Sequence, residues 1–141
     1  MNVQVVNEGL ERVGDYLNAA QLPTVMLLGL YTTDLAADIT TVYADMIQPT
    51  FAGYAETLLS NIQFNFDATN NRWVFSANEV DFAPTSTGSP VTIYGWYLCA
   101  PTAPGSGGKS LLCYQRLSVP VVLTGPTDTL PLTPSLAIQR P

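Results

Sequence analysis

Apolar and polar positions alternate along this chain in short bursts, and the clearest bursts form a pair. Val91 to Ala100 reads VTIYGWYLCA, β-branched, aromatic and apolar, which suits a pleated, half-buried surface. Pro101 to Lys109 is small and rich in Pro and Gly, so it cannot continue a strand. Ser110 to Ser118 resumes the pattern. Together they predict a long-looped β-hairpin and a predominantly β chain.

Upstream, Val3, Val6, Leu10, Val13, Leu17 and Ala20 recur at spacings of three and four, with Glu8, Glu11 and Asp15 off that seam. This predicts a short amphipathic helix over Val3 to Ala19, closed by Pro23. Its two readings are a helix packed on the sheet and a small self-association seam. Thr24 to Thr32 predicts a buried strand. Thr33 to Thr50 looks irregular, with a helical turn around Ile39 to Ile47. Phe51 to Leu59 and Asn61 to Phe66 predict strands. Asp67 to Asn71 is a turn signal. Arg72 to Phe82 makes one or two strands, and Ala83 to Pro90 a loop. Short strands separated by turn signals indicate a sandwich or barrel. The expected organisation is an N-terminal helix over 1–22, an all-β, β-sandwich-like domain over 23–119, and an extended arm over 120–141.

That last segment carries Pro120, Pro126, Pro131, Pro134 and Pro141. Prolines exclude it from central strands and favour extended arms or edge strands. Leu130, Leu132, Leu136 and Ile138 are the candidate anchors by which such an arm binds a neighbour.

A hairpin loop centred near Ser106 sets Cys99 opposite Cys113, Trp96 opposite Arg116 and Tyr94 opposite Ser118. Opposed residues have Cβ atoms close enough to touch, so a disulfide is geometrically conceivable. The other reading is two reduced thiols acting as small hydrophobes, and cytoplasmic synthesis favours it. Arg116 over the Trp96 indole is a cation–π pairing that reads as sheet dressing.

Composition sharpens the picture. Hydrophobic residues make up 47% of the 141 and charged residues 11%, where soluble domains average about 25% charged. Either part of the surface meets other protein, or Thr, Ser, Asn and Gln cover it. With a net charge of −6 and Lys109 the only lysine, nucleic acid and anionic membranes are excluded as partners. The run Val25 to Leu30 is too short to span a bilayer. The opening MNVQVVNEGLERVGD lacks the basic start and apolar core of a signal peptide, so the chain is expected to be made and folded in a cytoplasm.

Candidate chemistry is sparse. There is no histidine, which removes Ser-His-Asp and Cys-His arrangements and the most frequent general base. Two cysteines without histidine cannot build a tetrahedral zinc site from one chain. Gly108-Lys109-Ser110 has only the ending of a phosphate-binding loop, and it bridges two strands instead of opening a helix. Asp34, Asp38 and Asp45 read as solvated loop acids, with no calcium loop around them. Glu56 and Glu79 are the carboxylates best placed in strands, and nothing in sequence brings them together. No enzyme activity, cofactor or metal is expected.

One resemblance covers Leu28 to Leu117. Leu30-Tyr31-Thr32-Thr33-Asp34, then Phe51-Ala52-Gly53-Tyr54-Ala55, then Tyr94-Gly95-Trp96-Tyr97, in this order, resemble small virion structural proteins of tailed bacteriophages. Trp96 departs from the usual Tyr or Phe, and the N-terminal helix and Pro-rich tail lie outside the shared core. The resemblance implies a structural protein of the virion, assembled in the host cytoplasm, and carries over no catalytic residue. The favoured expectation is a head-decoration or cement protein that binds the major capsid protein and copies of itself, as a homo-oligomer such as a trimer. A tail, fibre or baseplate component is the structural alternative. A carbohydrate-binding module is the alternative from another class, with Tyr94, Trp96, Tyr97 and Tyr114 as its aromatic platform.

Overall fold

The computed structural model describes residues 3–10, 25–102 and 107–139. Over these residues ten strands form three antiparallel sheets. The strands are β1 (Gln4–Val5), β2 (Leu27–Tyr31), β3 (Thr57–Leu58), β4 (Gln63–Asp67), β5 (Arg72–Ser76), β6 (Val80–Phe82), β7 (Val91–Pro101), β8 (Lys109–Leu123), β9 (Leu130–Leu132) and β10 (Ser135–Gln139). The five-stranded sheet has the order β1-β8-β7-β2-β3. The three-stranded sheet runs β10-β5-β4, and β6 pairs with β9. The result is an all-β, sandwich-like fold.

Its main core lies between the sheets. Leu28, Leu30, Trp96, Leu98 and Cys113 from the large sheet meet Phe75 and Leu136 from the three-stranded sheet, and Phe82 and Leu130 from the small one. Each such side chain contributes about 1.5–3 kcal/mol on burial. A second cluster sits on the opposite face of the large sheet, where Tyr31, Tyr97, Cys99, Leu111 and Tyr114 lie beneath Met46 of the 33–50 segment. Burial on both faces explains why β2 and β7 read as near-continuous apolar runs.

The β7–β8 hairpin forms as expected, but its register differs. Two irregularities, between Ile93 and Gly95 and between Leu98 and Cys99, shift the pairing along the strand. A bulge puts two residues opposite one, which turns side chains onto new neighbours. Cys99 therefore faces Leu111, and Cys113 faces Leu98. The thiols point into different clusters, and both are free. Trp96 faces Gln115, so the expected Trp96–Arg116 pairing does not occur. Arg116 instead contacts Asp34 at 2.6 Å.

Three other elements depart from expectation. Gln4–Val5 is a strand on the edge of β8, residues 7–10 are helical, and the rest of the predicted helix lies outside the described residues. Strand character in Phe51–Leu59 is confined to Thr57–Leu58, because Gly53 takes a left-handed φ of 84° and turns the chain. β8 runs through Pro120, which a strand accepts at an edge. Among the described residues β1 covers only Cys113 and Tyr114.

The Pro-rich tail is extended, yet it folds onto its own domain. β9 pairs with β6 and β10 with β5. Leu130 and Leu136 are each 8% exposed within the main core, and Leu132 and Ile138 pack against it. Leu130 and Leu136 are therefore core residues and not free anchors for a neighbour, while Leu132 and Ile138 are only partly buried.

Candidate functional site

The outer face of the large sheet holds the one part of the described molecule where titratable groups converge under cover. Its geometry starts from two glycines. β2 carries Gly29-Leu30-Tyr31 and β7 carries Gly95-Trp96-Tyr97, and antiparallel pairing sets Gly29 opposite Tyr97 and Tyr31 opposite Gly95. Each ring lies over the opposed glycine. A Cβ on Gly29 would fall 2.3 Å from Cζ of Tyr97, and one on Gly95 would fall 2.3 Å from the Tyr31 hydroxyl. Only a glycine leaves room for the ring, an arrangement used to cover glycines in sheets.

The Gly29 gap also aims Tyr97. Thr57 pairs with Leu28, so extending that register by one residue brings Glu56 beside Gly29. Tyr97 reaches across the gap and donates its hydroxyl to Glu56 Oε1 at 2.6 Å. Tyr43, from the 3₁₀ turn Tyr43–Asp45, donates to the same oxygen at 2.7 Å. Gln48 Nε2 donates to Tyr43 at 3.1 Å and to Oε1 at 3.3 Å. The Cys99 thiol lies 3.8 Å from Oε1. Lys109, at the start of β8, places Nζ against Oε2 and over the Tyr43 ring, 5.6 Å from its centroid.

The Glu56 side chain is 6% exposed. Burial alone would raise its pKa, but hydrogen bonds from Lys109, Tyr97 and Tyr43 outweigh that and hold the carboxyl below its ordinary range. Lys109 is raised by its bond to Glu56, against the opposing effect of burial. Tyr97 and Tyr43 are raised by burial and then by bonding to Glu56, so both stay protonated donors. Burial, then the Glu56 charge, raises the Cys99 thiol, which is a poor nucleophile there. A buried charge left unpaired is strongly destabilising; here every partner is in place.

The segment 33–50 covers this cluster and is pinned to it. The Tyr114 hydroxyl accepts the Asp38 N–H at 2.8 Å and donates to the Ala36 carbonyl at 3.0 Å. Thr32 N–H bonds the Ile47 carbonyl at 2.8 Å, and Asn7 N–H bonds the Ile39 carbonyl at 2.9 Å. While the polar and aromatic groups face inward, Ile39, Val42 and Ile47 face out, 52%, 42% and 55% exposed.

Other sequence candidates fall elsewhere. Trp96, Tyr97 and Tyr114 are buried and Tyr94 is half-buried, so the aromatic platform expected for a sugar is part of the core. Cys113 lies in the main core, where burial pushes its thiol up to about 12. Asp34 pairs with Arg116, while Asp38 and Asp45 accept local turn bonds from Thr40 and Val42. No cluster among the described residues is suited to a metal ion. Glu79 takes the Thr133 hydroxyl and joins no network with Glu56. A cleft of about 250 Å³ between Thr50, Phe51, Ser86, Ser89, Val91 and Thr124 holds no titratable side chain. No described helix is long and apolar enough to cross a membrane.

Sequence reasoning missed the convergence on Glu56, because its partners come from separate segments. The readable signal was the repeated Gly-x-Tyr. Comparison with protein-family models, curated proteins and solved structures gives no match.

Proposed function

We propose that this chain is a non-enzymatic structural protein that docks on a larger protein assembly through the outer face of the 33–50 segment. The observation that carries the reading is the exposure of Ile39, Val42 and Ile47 on a segment fixed from beneath by Tyr114, Tyr97 and Glu56. A long irregular loop in a compact domain is commonly functional. A rigid one presents apolar side chains without an ordering cost on docking. The resemblance of residues 28–117 to tailed-phage virion proteins supports a phage particle as the assembly, with decoration of the outer capsid as the role.

Charge narrows the partner. Among the described residues Arg72, Lys109 and Arg116 are all held in intrachain ion pairs, while Asp38 and Asp45 border the aliphatic face. The net charge of −6 then favours a docking surface with basic groups around an apolar centre. Burying each aliphatic side chain contributes about 1.5–3 kcal/mol, and repetition over a shell multiplies weak contacts by avidity.

The test is rebinding to particles that lack the chain. Wild-type protein should coat the head when viewed by immuno-electron microscopy. The triple variant Ile39→Ser, Val42→Ser, Ile47→Ser should fold normally and fail to bind. Equal binding by the variant would remove the loop from the mechanism, and label confined to the tail would make the protein a tail component.

A further inference from the structure

We propose that Lys109 and Glu56 join covalently as an amide, an intramolecular cross-link tying the start of β8 to the residue before β3. This goes beyond the docking reading and does not depend on it. The geometry divides the carboxyl group in two. Oε1 receives the Tyr43 and Tyr97 hydroxyls at 2.7 and 2.6 Å, and Oε2 faces the Lys109 amine. One oxygen is thus held by two donors where negative charge develops during acyl transfer. The other is placed to take protons from the attacking nitrogen and leave.

Both reactants are fixed by strand register. Glu56 follows from the β2–β3 pairing, and Lys109 opposes Pro101 at the end of the β7–β8 ladder. Holding the amine against the carboxyl group replaces a bimolecular encounter with an intramolecular one. With Glu56 6% exposed, little water competes for the carbonyl carbon or reverses the reaction.

The ion pair is the resting form. Reaction begins when the ammonium passes one proton to Oε2, leaving a neutral amine and a carboxylic acid. The Nζ lone pair attacks Cδ, and the charge that collects on Oε1 is received by the two tyrosine hydroxyls. A second proton moves from nitrogen to Oε2, the Cδ–Oε2 bond breaks, and water departs. The third ammonium proton stays on the amide nitrogen. Nothing is oxidised or reduced, and no co-reactant is needed. Because the charged pair is favoured at rest, conversion is slow and occurs only in the folded chain. The product closes a loop between residues 53 apart that no reductant opens.

The experiment is intact-mass spectrometry of the purified full chain under denaturing conditions, followed by peptide mapping. The expected wild-type mass is one water below the sequence mass. The map should show a branched pair of peptides carrying Glu56 and Lys109, with no tryptic cleavage after Lys109. Lys109→Arg should keep its full sequence mass, and Tyr97→Phe should give a mixture of converted and unconverted chains. A wild-type chain at full sequence mass overturns the proposal, whether or not the variants fold. So does a water loss mapped to any other residue.

Discussion

Gly29→Ala tests the packing that aims Tyr97 at Glu56. The added methyl would meet Cζ of Tyr97 at 2.3 Å and its hydroxyl oxygen at 2.5 Å, inside any real Cβ contact. Gly29 has ordinary strand geometry, so the backbone accepts alanine, and the loss of unfolded-chain freedom alone would stabilise by about 0.4–1 kcal/mol. Against that, overpacking costs about 1–3 kcal/mol. A displaced Tyr97 gives up a hydrogen bond to a charged group, worth about 1.5–3 kcal/mol. These costs overlap, since a ring that moves relieves the clash by abandoning the bond. Taking the larger cost and subtracting that gain, the net expectation is a destabilisation of about 0.5–2.5 kcal/mol. At an unfolding entropy of about 2.1 cal/mol/K per residue over 141 residues, the melting temperature falls by roughly 2–8 °C. Thermal unfolding followed by circular dichroism reads this directly. Gly88→Ala is the internal control, because a Cβ there meets nothing within 4 Å. If Gly29→Ala melts at or above the wild type, the ring does not lie over Gly29 and the account of the site fails.

The remaining predictions follow from burial. Leu136→Ala should cost about 2–4 kcal/mol, read as a lower urea midpoint; unchanged stability would mean that the C-terminal segment is a free arm after all. Burial pushes Cys113, Tyr31 and Tyr54 up to about 12, above unfolded values of about 8.5 for a thiol and 10 for a phenol. A raised acid binds its proton more tightly when folded, so this stability is complete below the unfolded values and drains away as pH climbs towards 12. Melting temperatures should decline steadily above about pH 8.5, and a flat profile up to pH 11 would contradict the burial. Over the same range Cys99 and Cys113 should resist a thiol reagent until the chain unfolds.

Much of the fold was legible, and the reason is periodicity. The hairpin, β2, β4 and the turn at Asp67–Asn71 announced themselves through alternation, β-branched residues and turn chemistry. Register was not legible, because a bulge depends on the twist of both strands and leaves no compositional mark. That is why Cys99 and Cys113 looked opposed and are not. Phe51–Leu59 has strand composition, but Gly53 bends it. The tail is extended along sheet edges, as its prolines predict, but the packing of its leucines was not legible. Its prolines drew attention, while the two-residue spacing of Leu136 and Ile138, the mark of a core-facing strand, was read as a row of anchors. Pro131 is tolerated because β9 has one paired side among the described residues, and Pro134 falls between β9 and β10, where no ladder bond is needed. The Glu56 cluster was invisible for a further reason. Glu56, Tyr43, Gln48, Tyr97 and Lys109 meet only through tertiary structure.

The large sheet has an apolar cluster on each face, and that arrangement bears on how the molecule opens. The layer over Tyr97 and Tyr114 belongs to the 33–50 segment, whereas the sandwich core lies on the far side of the same strands. Lifting the loop wets one face and leaves the other dry. Amides of the loop should therefore exchange with solvent deuterium well before those of β7 and the paired half of β8, which stay protected until the sandwich itself comes apart. Two clusters sharing one wall of strands should therefore open separately, the outer layer yielding without taking the sandwich core with it.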